Sequence, residues 1–146
     1  LIDDAGRGIE GKVRLARIGF DAVAGEVADI ETVLAARPDL ATTAPRLPAR
    51  DVAAWLAEEP LLQIVDVRNP GETKVGGTIP GAQNEPLPQL LDHLAALDPD
   101  RPTIVYCAGG YRSSVAASTL RAHGFRQVAD LIGGYGAWQS AAGTPA

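Results

Sequence analysis

A short apolar run of β-prone residues, Thr103-Ile104-Val105-Tyr106, leads straight into Cys107-Ala108-Gly109-Gly110-Tyr111-Arg112-Ser113. Ser113 then heads an alanine-rich stretch, residues 114–123, whose composition predicts a helix. Strand, glycine turn and helix in this order restrict the chain to folds in which a strand end meets a helix N-terminus. The first amides of such a helix have no acceptor within it, and the helix dipole adds partial positive charge where they converge. An anion is favoured there, and so is thiolate over thiol. A free cysteine titrates near ~8.5, whereas values of roughly 3.5 to 7.5 occur at helix N-termini or beside arginine, so Arg112 brings Cys107 toward the reactive range. Gly109 and Gly110 allow the positive φ that turns amides inward. A lone cysteine is often an inert core residue, and Cys107 is the only one in the sequence. The glycine pair, the arginine and the strand-to-helix setting make it a candidate nucleophile instead.

The same alternation extends along the chain. Residues 52–58 predict a short helix, 62–66 a buried strand, 87–97 an amphipathic helix ended by Asp98-Pro99-Asp100, and 103–107 the central strand. Residues 127–131 predict a further strand and 136–141 a last helix around Trp138. Strands alternating with helices give an α/β fold, a mainly parallel sheet with helices on both faces. Ligands of such sheets bind beyond the carboxyl ends of the strands, where Cys107 is expected. Trp55 and Trp138 read as core aromatics.

Residues from about 45 to 142 resemble a rhodanese domain, and three landmarks carry the resemblance in order. Asp66-Val67-Arg68 follows an apolar run, with Glu72 and Thr78-Ile79-Pro80-Gly81-Ala82 after it; then come the Cys107 to Ser113 loop and Gly133-Gly134-Tyr135-Gly136-Ala137-Trp138. The chain departs from the pattern where the family often has histidine, near Gly77 and Thr78. The resemblance implies a sulfurtransferase in which Cys107 carries sulfane sulfur as a persulfide. The donor would be of the thiosulfate or glutathione persulfide class, and a thiol or another nucleophile would be the acceptor. It makes Ala108, Gly109, Gly110, Tyr111, Arg112 and Ser113 the anion-binding loop, with Asp66, Arg68 and Glu72 as supports that orient Arg112 or the loop amides. Related phosphatases and arsenate reductases have a longer loop between cysteine and arginine than the four residues here, which ranks sulfur transfer above phosphoester hydrolysis. A docking or regulatory module that no longer transfers sulfur is the rival from another class.

Composition narrows the partners. With 146 residues, 46% of them hydrophobic, the chain can build one core of ordinary size. The net charge of −5 and the scattered Lys and Arg argue against nucleic acid. No apolar stretch approaches the roughly 18 residues of a membrane span and no signal-peptide pattern opens the chain, so a cytoplasmic location is expected. His93 and His123 lack ligand-spaced partners, so neither a metal nor a cofactor is called for.

Residues 1–44 hold a weaker signal. A shift of 105 positions places Arg7 on Arg112, Leu15 on Leu120, Gly19-Phe20 on Gly124-Phe125 and Val23-Ala24 on Val128-Ala129, the pattern of an internal repeat. Ile2 then stands where Cys107 does. On this reading residues 1–44 are the C-terminal remnant of a degenerate rhodanese-like domain without a nucleophile, plus a linker centred on residues 37–48, and residues 45–146 are the rhodanese domain. The arrangement resembles the C-terminal part of fusions with an upstream metallo-β-lactamase-fold domain, and the apolar residues of the remnant, among them Ile18, Phe20 and Val33, call for cover by the second domain or by a homodimer partner.

Overall fold

A computed structural model describes residues 6–142 and divides the chain into two units between Thr43 and Ala44. In the first unit α1 (Gly8–Ala16) and α2 (Ile30–Ala36) precede a single 3-10 turn at Pro38–Leu40. Asp29 caps α2, its carboxylate accepting the Thr32 N–H at 3.0 Å. Ile18 and Phe20 stand 70% and 63% exposed, and among the described residues of this unit Gly8 alone is buried. Ile2, the expected counterpart of Cys107, lies outside the described residues.

The second unit runs β1 (Arg46–Leu47), α3 (Ala49–Glu58), β2 (Gln63–Asp66), α4 (Pro70–Gly76), β3 (Gln83–Asn84), β4 (Thr103–Tyr106), α5 (Tyr111–Ala122), β5 (Val128–Leu131) and α6 (Gly134–Ala142). Its five strands form one parallel sheet in the order β1-β5-β4-β2-β3, with β4 in the middle. Every residue of β2, β4 and β5 is buried, the expected state of parallel strands covered on two faces. Alternation along β4 separates two cores. Ile104 and Tyr106 join Val52, Ala129 and Leu131, with Trp55 and Trp138 of α3 and α6 packed alongside. Val105 and Cys107 face the other way, onto Ala116, Ala117 and Leu120 of α5 and onto Phe125.

Four local expectations are corrected. The helix expected from residue 114 starts at Tyr111, with Gly110 as its cap, so Ser113 lies buried in the first turn rather than ahead of it. Residues 87–97 form no regular α-helix. They make 3-10 turns at Leu87–Gln89 and Leu94–Ala96, because Pro86 and Pro88 offer no amide and the closing bonds, Leu90 N–H to Leu87 O and Leu97 N–H to Leu94 O, span three residues. The apolar spacing was nonetheless informative, since Leu87, Leu90, Leu94 and Leu97 all pack on the α5-side core. Residues 37–48 are not linker throughout, because Arg46–Leu47 is an edge strand: Asp130 N–H donates to Pro45 O at 3.1 Å and Ile132 N–H to Leu47 O at 2.9 Å. Finally, α4 arises where no element was expected, at Asn69-Pro70-Gly71-Glu72, a capping box with proline at the first helical position. No helix among the described residues is long and apolar enough to cross a membrane.

Candidate active site

Cys107 follows the last residue of β4 and is 2% exposed, so its sulfur sits at the carboxyl edge of the central strand yet inside the core. The chain turns at once. Gly110 takes φ +96°, and its N–H donates to Cys107 Sγ at 3.1 Å. A side chain at this position would meet Gly133 N at 3.1 Å in addition to the φ penalty, so only glycine turns this amide onto the sulfur. Ser113, in the first turn of α5, places its hydroxyl 3.7 Å from Sγ. Burial pushes the thiol up, but the N–H and hydroxyl of Ser113 and the N–H groups of Gly110 and Gly109 outweigh it, and the thiol lies below its ordinary value.

The loop is held from behind by α6. Tyr135 N–H donates to Cys107 O at 2.7 Å and Gly136 N–H to Ala108 O at 3.2 Å, so the otherwise unpaired first amides of α6 take the loop carbonyls away from the sulfur. This close approach explains Gly133-Gly134. A Cβ on Gly134 would lie 2.3 Å from Cys107 O, a distance no packing adjustment accommodates.

Arg112, on the exposed side of the first turn of α5, is gripped by Glu72. Nη1 and Nη2 donate to the two carboxylate oxygens, each at 2.7 Å, and Glu72 Oε2 also accepts the Asn69 N–H at 3.0 Å, so the capping box of α4 fixes the carboxylate that fixes the arginine. The Arg112 hydrogen bonds pull the Glu72 carboxyl down from its ordinary 4.5 to about 2. Arg112 in turn is held in its charged form by Glu72 first, and by the Cys107 sulfur as well. Tyr111 is 83% exposed at the mouth of the loop.

Asp66 and Arg68 do not contact Arg112 or the loop amides, contrary to the expectation for them. They form a buried ion pair, with Arg68 Nη2 at 2.6 Å from Asp66 Oδ2, and Arg68 also donates to Gly77 O at 2.7 Å. The guanidinium lies 4.2 Å from the Tyr135 ring centroid and 5.5 Å from that of Tyr106. Tyr106 OH bonds the Thr78 hydroxyl and accepts the Ile79 N–H, and burial drives its pKa up to about 12. The cluster therefore braces the chain after α4 and the start of α6, supporting the loop through its neighbours. Three residues here escaped the sequence reading. Tyr106 and Tyr135 stood inside recognised motifs without a partner assigned, and Arg46, which bonds Asp130 and Gly110 O, carried no motif at all.

Comparison with known proteins places this arrangement. The rhodanese-like domain family matches residues 48–141. A thiosulfate sulfurtransferase GlpE of Shewanella oneidensis is 38% identical over 86 residues, covering 59% of this chain and 84% of that protein. An uncharacterised Bacillus subtilis protein, YqhL, is 42% identical over 76 residues, and the match spans 52% of this chain and 60% of the relative's length. Among solved structures, the rhodanese-like domain of the Anabaena protein Alr3790 superposes with a TM-score of 0.61 at 36% identity, covering 70% of this chain and 78% of that one.

Proposed function

We propose that this chain, which belongs to the rhodanese-like domain family, is a sulfurtransferase that carries sulfane sulfur on Cys107. The observation that carries this reading is the single sulfur at a strand end with the Gly110 N–H on it at 3.1 Å, in a loop of four residues closed by Arg112. Such a cradle stabilises a monatomic anion, first thiolate and then the terminal sulfur of a persulfide. Cys107 thiolate attacks the outer sulfur of a thiosulfate or of an organic persulfide. The donor S–S bond breaks, its electron pair leaves with sulfite or with the donor thiolate, and a Cys107–S–S anion remains. An acceptor nucleophile then attacks the terminal sulfur and returns Cys107 to thiolate. The acceptor comes from outside, because the sequence offers no second cysteine to resolve the persulfide. Glu72 and Arg112 stand at the mouth as a neutral pair, and Ala108, Gly109 and Tyr111 complete the loop.

We read residues 1–44 as the remnant of a second, cysteine-less copy. Support comes from the ends of α1 and α5, which close alike. Phe20 N–H donates to Leu15 O and Phe125 N–H to Leu120 O, while Gly19 and Gly124 adopt φ +91° and +92°.

The test is mass spectrometry after treatment with thiosulfate or glutathione persulfide. The expected result is a sulfur adduct on Cys107 that cyanide removes and that Cys107→Ser lacks. Turnover of an aryl phosphate with no adduct from either donor overturns the reading.

A further inference from the structure

Arg46, on the edge strand β1, reaches the sulfur loop past β5 on the face of the sheet that also holds Cys107, and it lies outside the residues matched by the family. Its register partner across the parallel β1–β5 pair is Asp130, whose side chain is 2% exposed. Arg46 Nε lies 3.0 Å from Oδ1 and Nη2 3.0 Å from Oδ2, the two-pronged geometry that leaves a guanidinium little rotational freedom. The same Nη2 donates to Gly110 O at 3.3 Å. Gly110 is also the residue whose N–H points at Cys107 Sγ. A buried carboxylate, an arginine locked on it and a loop carbonyl thus form one chain of contacts ending on the residue whose N–H meets the sulfur.

We propose that Arg46 is a positioning residue: braced by Asp130, it holds the carbonyl of Gly110 and thereby keeps the Gly110 N–H on the sulfur. The link is one of position. The guanidinium fixes the peptide between Gly110 and Tyr111 that begins α5, and without that anchor a glycine is free to rotate and to swing its own N–H off the sulfur. The charged groups around the sulfur separate cleanly. Arg112 acts on it directly and is itself held by Glu72; Asp66 and Arg68 pair with each other; Arg46 and Asp130 act through Gly110.

The proposal rests on the reading of Cys107 as the reactive sulfur, and its test keeps the two separable. The rate of iodoacetamide alkylation against pH reports the thiol whatever its cargo. Arg46→Gln and Asp130→Asn are expected to raise the midpoint by roughly half a pH unit, about a threefold loss of thiolate well below the midpoint, with Arg46→Lys falling between them and the unchanged protein. Midpoints that stay put overturn the proposal, even if the melting temperature falls, because a purely structural edge strand would move only the latter. The unmutated protein gives a second reading that needs no variant: the Gly110 amide proton should shift upfield as the thiol is protonated, and a resonance indifferent to that titration overturns the proposal too. A protein that alkylates readily yet takes up no sulfane sulfur counts against sulfur transfer and leaves the Arg46 link standing.

Discussion

Glu72 shows how one carboxylate can serve fold and site together. It completes the cap of α4 and holds Arg112 by both oxygens, so its ionised form is bound more tightly in the folded protein than in the unfolded chain. Its folded pKa of about 2 lies below the ordinary 4.5. The sign follows: the stabilisation is fully present above pH 4.5 and drains away as pH falls toward 2. Because both side chains are about a third exposed, screening reduces the effect to roughly 0.5–1 kcal/mol. Unfolding free energies of Glu72→Gln and the unchanged protein, from urea titrations, should therefore differ by that amount at neutral pH and converge near pH 2. A gap that persists at the acid end would mean that Glu72 acts through packing and not through charge. Asp66 and Arg68 are the opposite case, an ion pair so buried that its service is to hold the tyrosine rings and the chain after α4.

At the level of elements, the sequence was most legible where pattern and burial coincide. Residues 62–66 and 103–107 are short, largely apolar β-prone runs, and they hold two of the three inner strands of the sheet, all buried throughout. The cysteine loop was legible for the same reason, since its glycines, arginine and helix are all local in sequence. What stayed hidden was whatever depends on distant partners. β1 and β3 are two residues long and exist only because β5 and β2 supply the other half of each ladder. Residues 87–97 carried a helical spacing of leucines, but the two prolines diverted the backbone into tighter turns while leaving the apolar face where the pattern put it. The Gly133-Gly134 pair was visible as a motif, yet its purpose emerged only with α6 seated against the carbonyls of Cys107 and Ala108. Gly134→Ala tests that seat. With φ +57° and a clash at 2.3 Å, it should cost about 2–4 kcal/mol and displace the loop, read as a fall in melting temperature and in Cys107 alkylation rate. Normal values of both would show that α6 tolerates a looser dock.

For the molecule as a whole, the two units differ in kind. The second has two cores, one on each face of a five-stranded sheet, whereas the first leaves Ile18 and Phe20 open and buries Gly8 alone among its described residues. A fragment of residues 44–146 should therefore unfold cooperatively and keep full Cys107 reactivity, measured by thermal melting and alkylation; loss of either would assign the first unit a part in the stability of the second. The strand order has a further consequence, for time rather than for geometry. In a sheet the outer strands breathe first and the middle opens last, at a free energy close to that of complete unfolding. β1 and β3 are the outer strands here and β4 is the middle one. The fluctuations that fray the margins of this protein leave β4 in place, so the strand end that carries Cys107 keeps its position for as long as the fold itself lasts.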